Sequence, residues 1–327
     1  MALVRRRRRS RPRLTPELDD AELGQLCRRL SERGFGSAGS FAVAGIEQLL
    51  DGTGEDWDRR CHRLAVLSEA ALRGVQRQWK ERRPHHPDAL VLHAWGVLTR
   101  GRLTMPTREE SESAWRACVE ASRLRPADPC PWIVRLGLLR LWRRPGSEVF
   151  PLWREISGRD PWNREAHMQM FAYLSLRECG SLSQLLEFVD GVRACAPPSA
   201  PTAALPLRSL VERYHSLLLR GGVGALGAVR LWDTPEAVDA LRTAATTWPR
   251  PGHLTHAAAL ADLNVLAYAL TEAKRSAWAA DVFDALDGRA TPFPWNRDDG
   301  DPARAFATAQ NQTAQNQTAR NKTRRRA

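Results

Sequence analysis

The sequence predicts an all-α protein, built as an α/α solenoid of helical hairpins with disordered basic tails at both ends. Three observations carry this. An X-Pro step opens a helix-like run three times, at His86-Pro87-Asp88, Asp128-Pro129-Cys130 and Asp160-Pro161-Trp162. Each is followed by a similar order of apolar residues, LVLHAWGVL, WIVRLGLLRLW and REAHMQMFAYL. No segment of useful length alternates apolar and polar residues with period two, so sheet is not expected.

The elements follow in order. Residues 1–13 read as a basic disordered arm. Residues 14–83 hold the N-terminal helices. The first runs from Leu14 to Arg33, with Thr15 as N-cap, Pro16 at the first helical position and acidic Glu17, Asp19 and Asp20 complementing the helix start. A short helix covers Phe41–Leu50, and one long helix covers Trp57–Arg83. Residues 84–200 form the repeats. Their first helices lie near Ala89–Arg100, after Pro129 and over Asn163–Leu176, and their partners lie at Arg108–Leu124, around VFPLWREI and at Leu182–Ala194. Residues 201–287 continue as helical pairs (Leu205–Arg220, Pro235–Thr247, Leu254–Thr271, Lys274–Leu286). Residues 288–327 are rich in Pro, Gly and Asp, then repeat Ala-Gln-Asn-Gln-Thr, and read as a disordered low-complexity basic tail.

The opening prolines sit at 87, 129 and 161, steps of 42 and 32 residues that bracket a 34-residue period. Gly96 and Gly137 are small residues inside first helices, and Trp115 and Trp153 are aromatics inside second helices. Ala114 and Ala121 are small, and Pro126 and Pro161 close units. In these features the block resembles the tetratricopeptide-repeat proteins, although Met168, Met170 and Phe171 depart from the pattern in the third unit. The resemblance implies right-handed stacking and peptide or protein binding along a concave surface lined by the first helices. It implies no catalytic residues.

Six residues after each opening proline stand His93, Arg135 and His167. Offsets five, seven, nine and ten are apolar or Gly in all three units, so this polar row interrupts an apolar side. Two readings stay open: a partner groove lined by His93, Arg135, Arg140 and His167, or a buried network satisfied within the fold.

Net charge is confined to the ends. Residues 1–13 carry seven arginines and residues 320–327 carry five basic residues, neither with an acid, which accounts for the whole net charge of +12. The stretch 14–319 is therefore neutral, and the high pI describes two tails rather than a basic face. Only three lysines occur, a bias that, with the many alanines, is similar to that of actinobacterial proteins. Six cysteines without a CxxC pair read as packed, reduced thiols. The arginine-led N-terminus lacks an apolar signal region, and no run reaches the ~18 apolar residues of a membrane span, so a cytoplasmic chain without membrane contact is expected.

Catalytic motifs are scarce. No lysine follows a glycine, which removes a P-loop. Gly222 to Gly227 spells GxGxxG, but a helical pattern precedes it where a dinucleotide fold needs a strand. His253, His256 and Asp262 do not share one helix face cleanly enough for zinc. Trp95, Trp115, Trp132, Trp142 and Trp153 take core-like positions, whereas Trp162 and Trp295, beside prolines, read as more accessible. The chain reads as a non-enzymatic scaffold that binds an unidentified protein or peptide without a cofactor. The alternative is a nucleic-acid-associated protein that binds weakly and non-specifically through Arg5, Arg6, Arg7, Arg8, Arg9, Arg324, Arg325 and Arg326.

Overall fold

A computed structural model of the chain describes residues 11–32, 39–70, 73–296 and 300–324. Helix accounts for 72% of it and strand for 1%, so the all-α expectation holds. The chain divides into two compact units, Asp19–Thr202 and Met1–Leu18 with Ala203–Ala327.

In the unit Asp19–Thr202 the helices are α1 (Ala21–Glu32), α2 (Gly39–Asp51), α3 (Trp57–Ala70), α4 (Arg73–Arg82), α5 (Pro87–Gly101), α6 (Arg108–Leu124), α7 (Cys130–Leu141), α8 (Gly146–Arg159), α9 (Arg164–Tyr173) and α10 (Leu182–Cys195). Helices α5 and α6 pack as one hairpin and α7 and α8 as another, and α5 lies on α7 and α7 on α9. The loop before α6 ends in a reciprocal cap. Thr107 Oγ1 accepts from the Glu110 amide (3.2 Å), and Glu110 Oε2 accepts from the Thr107 amide (3.0 Å). The three opening prolines thus do begin helices or the turns just before them, because a missing N–H costs nothing in the first turn.

Gly137 shows why the first helices can stack. A Cβ built there would stand 2.7 Å from both terminal carbons of Leu98, itself fully buried on α5. Gly137→Ala gains about 1 kcal/mol of helix propensity but overpacks the α5–α7 contact by about 1–3 kcal/mol. Net destabilisation is expected, read as a lower urea midpoint with an unchanged m-value.

Two expectations for this unit are corrected. The first helix starts at Ala21, not Leu14, and its cap is Asp20, whose Oδ1 accepts from the Leu23 amide at 3.0 Å. Leu14 is instead in a strand, and Leu18 turns the chain with φ +57°. The long helix from Trp57 to Arg83 is two helices, α3 and α4. Gln76 of α4 donates to the Ser68 carbonyl in the last turn of α3 at 3.0 Å.

Helix α3 is the element the others are built around. It packs against α1, α2, α5, α7 and α9. Its sequence WDRRCHRLAVLSEA puts Arg60 and Arg63 three residues apart, on neighbouring positions of one face. Both are buried, and both donate to the C-terminal end of α2: Arg60 Nη1 to the Leu50 carbonyl (3.1 Å) and Arg63 Nη1 to the Leu49 carbonyl (2.6 Å). Cations at a helix C-terminus oppose its negative dipole end while filling carbonyls that lack helical partners.

The other unit holds β1 (Arg13–Leu14), α11 (Leu205–Arg220), α12 (Val223–Leu231), α13 (Pro235–Thr247), α14 (Ala259–Glu272), α15 (Ser276–Leu286), β2 (Arg289–Ala290), α16 (Pro292–Trp295) and α17 (Pro302–Arg324). Its core gathers Leu210, Val211, Trp232, Leu241, Leu266, Leu270, Phe283 and Phe306 around α14. Strands β1 and β2 pair in parallel, with Arg13 opposite Arg289 and Leu14 opposite Ala290. Asp287 and Gly288 both take positive φ and make the tight exit from α15 that lets β2 begin at once. Helix α12 contains most of the GxGxxG stretch and follows helix α11, so no strand precedes it.

The tail expectation is overturned between 302 and 324. This stretch is helix α17, which packs on α15 and α16. A five-residue repeat advances about 140° beyond one full turn per copy, so the repeated residues do not line up on one face and amphipathicity is hidden. A buried stripe exists all the same: Phe306, Ala309, Gln310 and Thr313, at helical spacing. The arm candidates Arg5 to Arg9, and Arg325 and Arg326, lie outside the described residues, and Arg324 ends α17. Trp295, expected to be accessible, is 6% exposed and donates from Nε1 to Asn264 Oδ1 at 2.9 Å. Among the described residues no helix is long and apolar enough to cross a membrane.

Candidate functional site

The polar row falls on the first helices as its spacing predicts, but its members have separate surroundings. His93 on α5 is half-buried, with Nε2 3.3 Å from Ser113 Oγ of α6. Lys80 of α4 donates to the same hydroxyl at 3.0 Å. Three helices therefore bring an ammonium, an imidazole and a hydroxyl together. Burial, then the positive charges of Lys80, Arg100 and Arg77, push the His93 pKa down to about 4. Lys80 is lowered in turn by burial and by Arg116, with Glu81 opposing. The cluster is a partly buried cationic spot around one hydroxyl. Such a spot favours an anionic group on an incoming molecule.

Arg135 on α7 lies between two rings, 4.5 Å from the centroid of Trp115 and 4.6 Å from that of Trp132. Arg159 covers Trp132 as well, at 4.7 Å. Here aromatic faces cover a half-buried guanidinium; burial lowers its pKa from the ordinary value, with Glu155 opposing. Arg140 pairs with Glu178 at 3.5 Å; burial lowers its pKa and Glu178 opposes the shift.

His167 on α9 is sealed. It is 3% exposed, with Nδ1 2.8 Å from the Asn163 carbonyl oxygen and with Trp153, Phe188 and Trp162 around the ring. Burial pushes its pKa down to about 4, against the opposing hydrogen bond that the ring makes to the Asn163 carbonyl. The four candidates are thus one cationic cluster, one cation between rings, one ion pair and one enclosed histidine.

The two depressed histidines set a pH dependence. Each binds a proton near pH 6.5 when unfolded and near 4 when folded. Between those values the unfolded chain holds more protons, so stability rises with pH there. Full stability from these groups is expected above pH 6.5, with progressive loss as pH falls towards 4. Urea midpoints measured from pH 7 to 4 should show this slope, and His93→Gln/His167→Gln should flatten it.

A second arrangement was not foreseen. Arg60 Nη2 donates to Asp88 Oδ1, and Arg60 Nε lies 3.3 Å from Asp128 Oδ2. Arg125 Nη1 reaches Asp88 at 2.9 Å and Asp128 at 3.8 Å. Arg60, Asp88 and Asp128 are 2%, 0% and 1% exposed. Two cations and two carboxylates form a neutral quartet at the starts of α5 and α7, buried except for Arg125, whose side chain is 33% exposed. Asp128 Oδ1 also caps α7 by accepting from the Cys130 amide at 2.8 Å. One residue along, Cys61 Sγ lies 3.4 Å from Cys130 Sγ, and Asn163 Nδ2 donates to Cys61 at 3.6 Å. Burial pushes both thiols up, so they stay protonated. The polar residues beside the three opening prolines therefore converge on α3. Asp88 stands one residue after Pro87, Asp128 one before Pro129 and Asn163 two after Pro161, so only their nearness to a proline, not a fixed spacing, marks them in the sequence.

Arg63 repeats the scheme towards α1, with Nε 2.7 Å from Asp20 Oδ2 and Nη2 3.2 Å from Asp20 Oδ1. Burial alone would raise Asp20; hydrogen bonds from Arg63 and the Leu23 amide outweigh it and hold the carboxyl below its usual range. In the other unit His256 Nε2 lies 3.2 Å from Asp262 Oδ2, both buried. His253 does not join them as a third ligand: among the described residues no group of three or more His, Cys, Asp or Glu is placed to hold a metal.

The class that the geometry defines is an all-α protein of mutually packed helices, compatible with a helical-repeat fold. No family model, no curated protein and no solved structure matches the chain.

Proposed function

We propose that this chain is a non-enzymatic helical scaffold that binds an acidic segment of a partner protein or peptide on the face formed by α4, α5 and α6. One observation carries the reading: the Ser113 hydroxyl held by Lys80 Nζ (3.0 Å) beside His93 Nε2 (3.3 Å), within the field of Arg77, Arg100 and Arg116. A carboxylate arriving there would gain charge-assisted hydrogen bonds, each about twice as strong as a neutral one. It would also relieve repulsion among cations that the fold has crowded together. Stacked hairpins of tetratricopeptide-like pattern suit such a face, because successive first helices present side chains along one surface. Arg135 and His167 then support it from within, one between rings and the other enclosed.

The test is a peptide array of acidic and charge-neutralised sequences probed with the full chain. Acidic peptides captured by wild type and lost, at least tenfold in affinity, by Lys80→Ala/Ser113→Ala support the face. An identical capture profile for that variant sinks it.

A further inference from the structure

We propose that the paired strands β1 and β2 form a binding cleft for phosphate groups, a site separate from the α4–α6 face. The cleft is an open cavity of about 780 Å³ lined by Arg11, Pro12, Arg13, Asp287 and Arg289. Three arginines and one aspartate thus line it. A wall of that composition attracts an anion, and guanidinium forks match phosphate oxygens two at a time.

The backbone arrangement brings these cations together. Arg13 and Arg289 are direct partners in a parallel strand pair, and neighbouring strands run about 4.8 Å apart. Like charges placed opposite each other destabilise a pair. The ladder holds them there regardless: the Arg13 amide donates to the Gly288 carbonyl (3.0 Å) and the Thr15 amide to the Ala290 carbonyl (3.1 Å). Arg289 is anchored by its Nε, which donates to the Leu286 carbonyl at 3.2 Å. Arg11 precedes a proline, which confines it to extended backbone. An anion seated among the three removes the repulsion that the register imposes. In the sequence, Arg5 to Arg9 precede these residues. The ligand chemistry is thus a run of adjacent phosphates, whether a free polyphosphate or a nucleic-acid backbone.

Two probes separate those sources, sodium tripolyphosphate by calorimetry and a fluorescein-labelled 12-nucleotide single-stranded DNA by anisotropy, both with the full chain. Arg11→Gln/Arg13→Gln/Arg289→Gln is expected to weaken tripolyphosphate at least tenfold. The variant with Arg5 to Arg9 all changed to Gln should stay within twofold for that probe. If the backbone is the ligand, the cleft variant also loses the oligonucleotide, and its log–log salt slope falls by roughly 2, three contacts at about 0.7 each. If the oligonucleotide is unaffected while tripolyphosphate is lost, the ligand is a free phosphate compound. The proposal is overturned if wild type binds neither probe. It is equally overturned if the cleft variant binds both as wild type does, or if only the Arg5–Arg9 variant loses binding. Far-UV circular dichroism and Tm check the cleft variant's fold. Should it not fold, Arg11→Gln alone, which lies outside the strand pair, must weaken tripolyphosphate at least threefold; an unchanged affinity overturns the site.

Discussion

Arg60→Ala is expected to destabilise the Asp19–Thr202 unit by roughly 3–5 kcal/mol, the cost of leaving a buried charge without its partner. Asp88 would lose its Arg60 bond at 0% exposure and keep only Arg125, while Asp128 would keep Arg125 at 3.8 Å and the Cys130 amide. The Leu50 carbonyl at the end of α2 would lose one of its donors and keep the amide and hydroxyl of Thr53. A loss of this size is a large share of the stability of an ordinary domain. Arg60→Lys should recover less than half, because one ammonium cannot reach Asp88, Asp128 and the Leu50 carbonyl with the geometry of a planar fork. Urea unfolding followed by circular dichroism checks both. A loss below 1 kcal/mol for Arg60→Ala would show that the quartet is not a structural centre.

Phe306→Ala is the second large effect, about 3–5 kcal/mol by the usual cost of truncating a buried aromatic. Phe306 is fully buried and meets Phe283 and Trp295 edge-on, at 5.2 and 5.3 Å between centroids. The rest of the buried stripe on α17 is Ala309, Gln310 and Thr313, which contribute little apolar surface. One ring therefore holds most of the contact. The expected readout is local: amide exchange over 302–324 accelerates strongly, while α14 keeps its protection. If 302–324 exchanges as slowly in the variant as in wild type, another contact holds the helix down.

Much of the fold was legible because it follows from local rules. Pro87, Pro129 and Pro161 mark helix starts or the turns just before them, and the apolar runs behind the prolines have helical spacing. The errors arose where distant parts of the chain decide. Leu14 belongs to a strand because Ala290 pairs with it, 276 positions further on. Helix α17 looks like low complexity because a five-residue repeat scatters its polarity around the helix axis, and only the tertiary core selects one stripe. The candidate row was placed correctly on its helices, yet periodicity could not say what would cover it. Phe188 covers His167 from a helix further on, and Trp115 covers Arg135 from the previous hairpin. Arg60 and Arg63 drew no attention since, in sequence, a charged pair on a helix reads as a solvated face.

The position of α3 also decides how the Asp19–Thr202 unit comes apart. An open stack of repeats is stabilised by neighbours alone and can fray from either end. Here one early helix carries bonds to positions up to 102 residues away, from Cys61 to Asn163. Removing the last hairpin strips a partner from the first helices, and removing α3 strips all three openings at once. This unit is expected to unfold as a single cooperative block, and deleting its last helix pair is expected to destabilise all of it rather than shorten it.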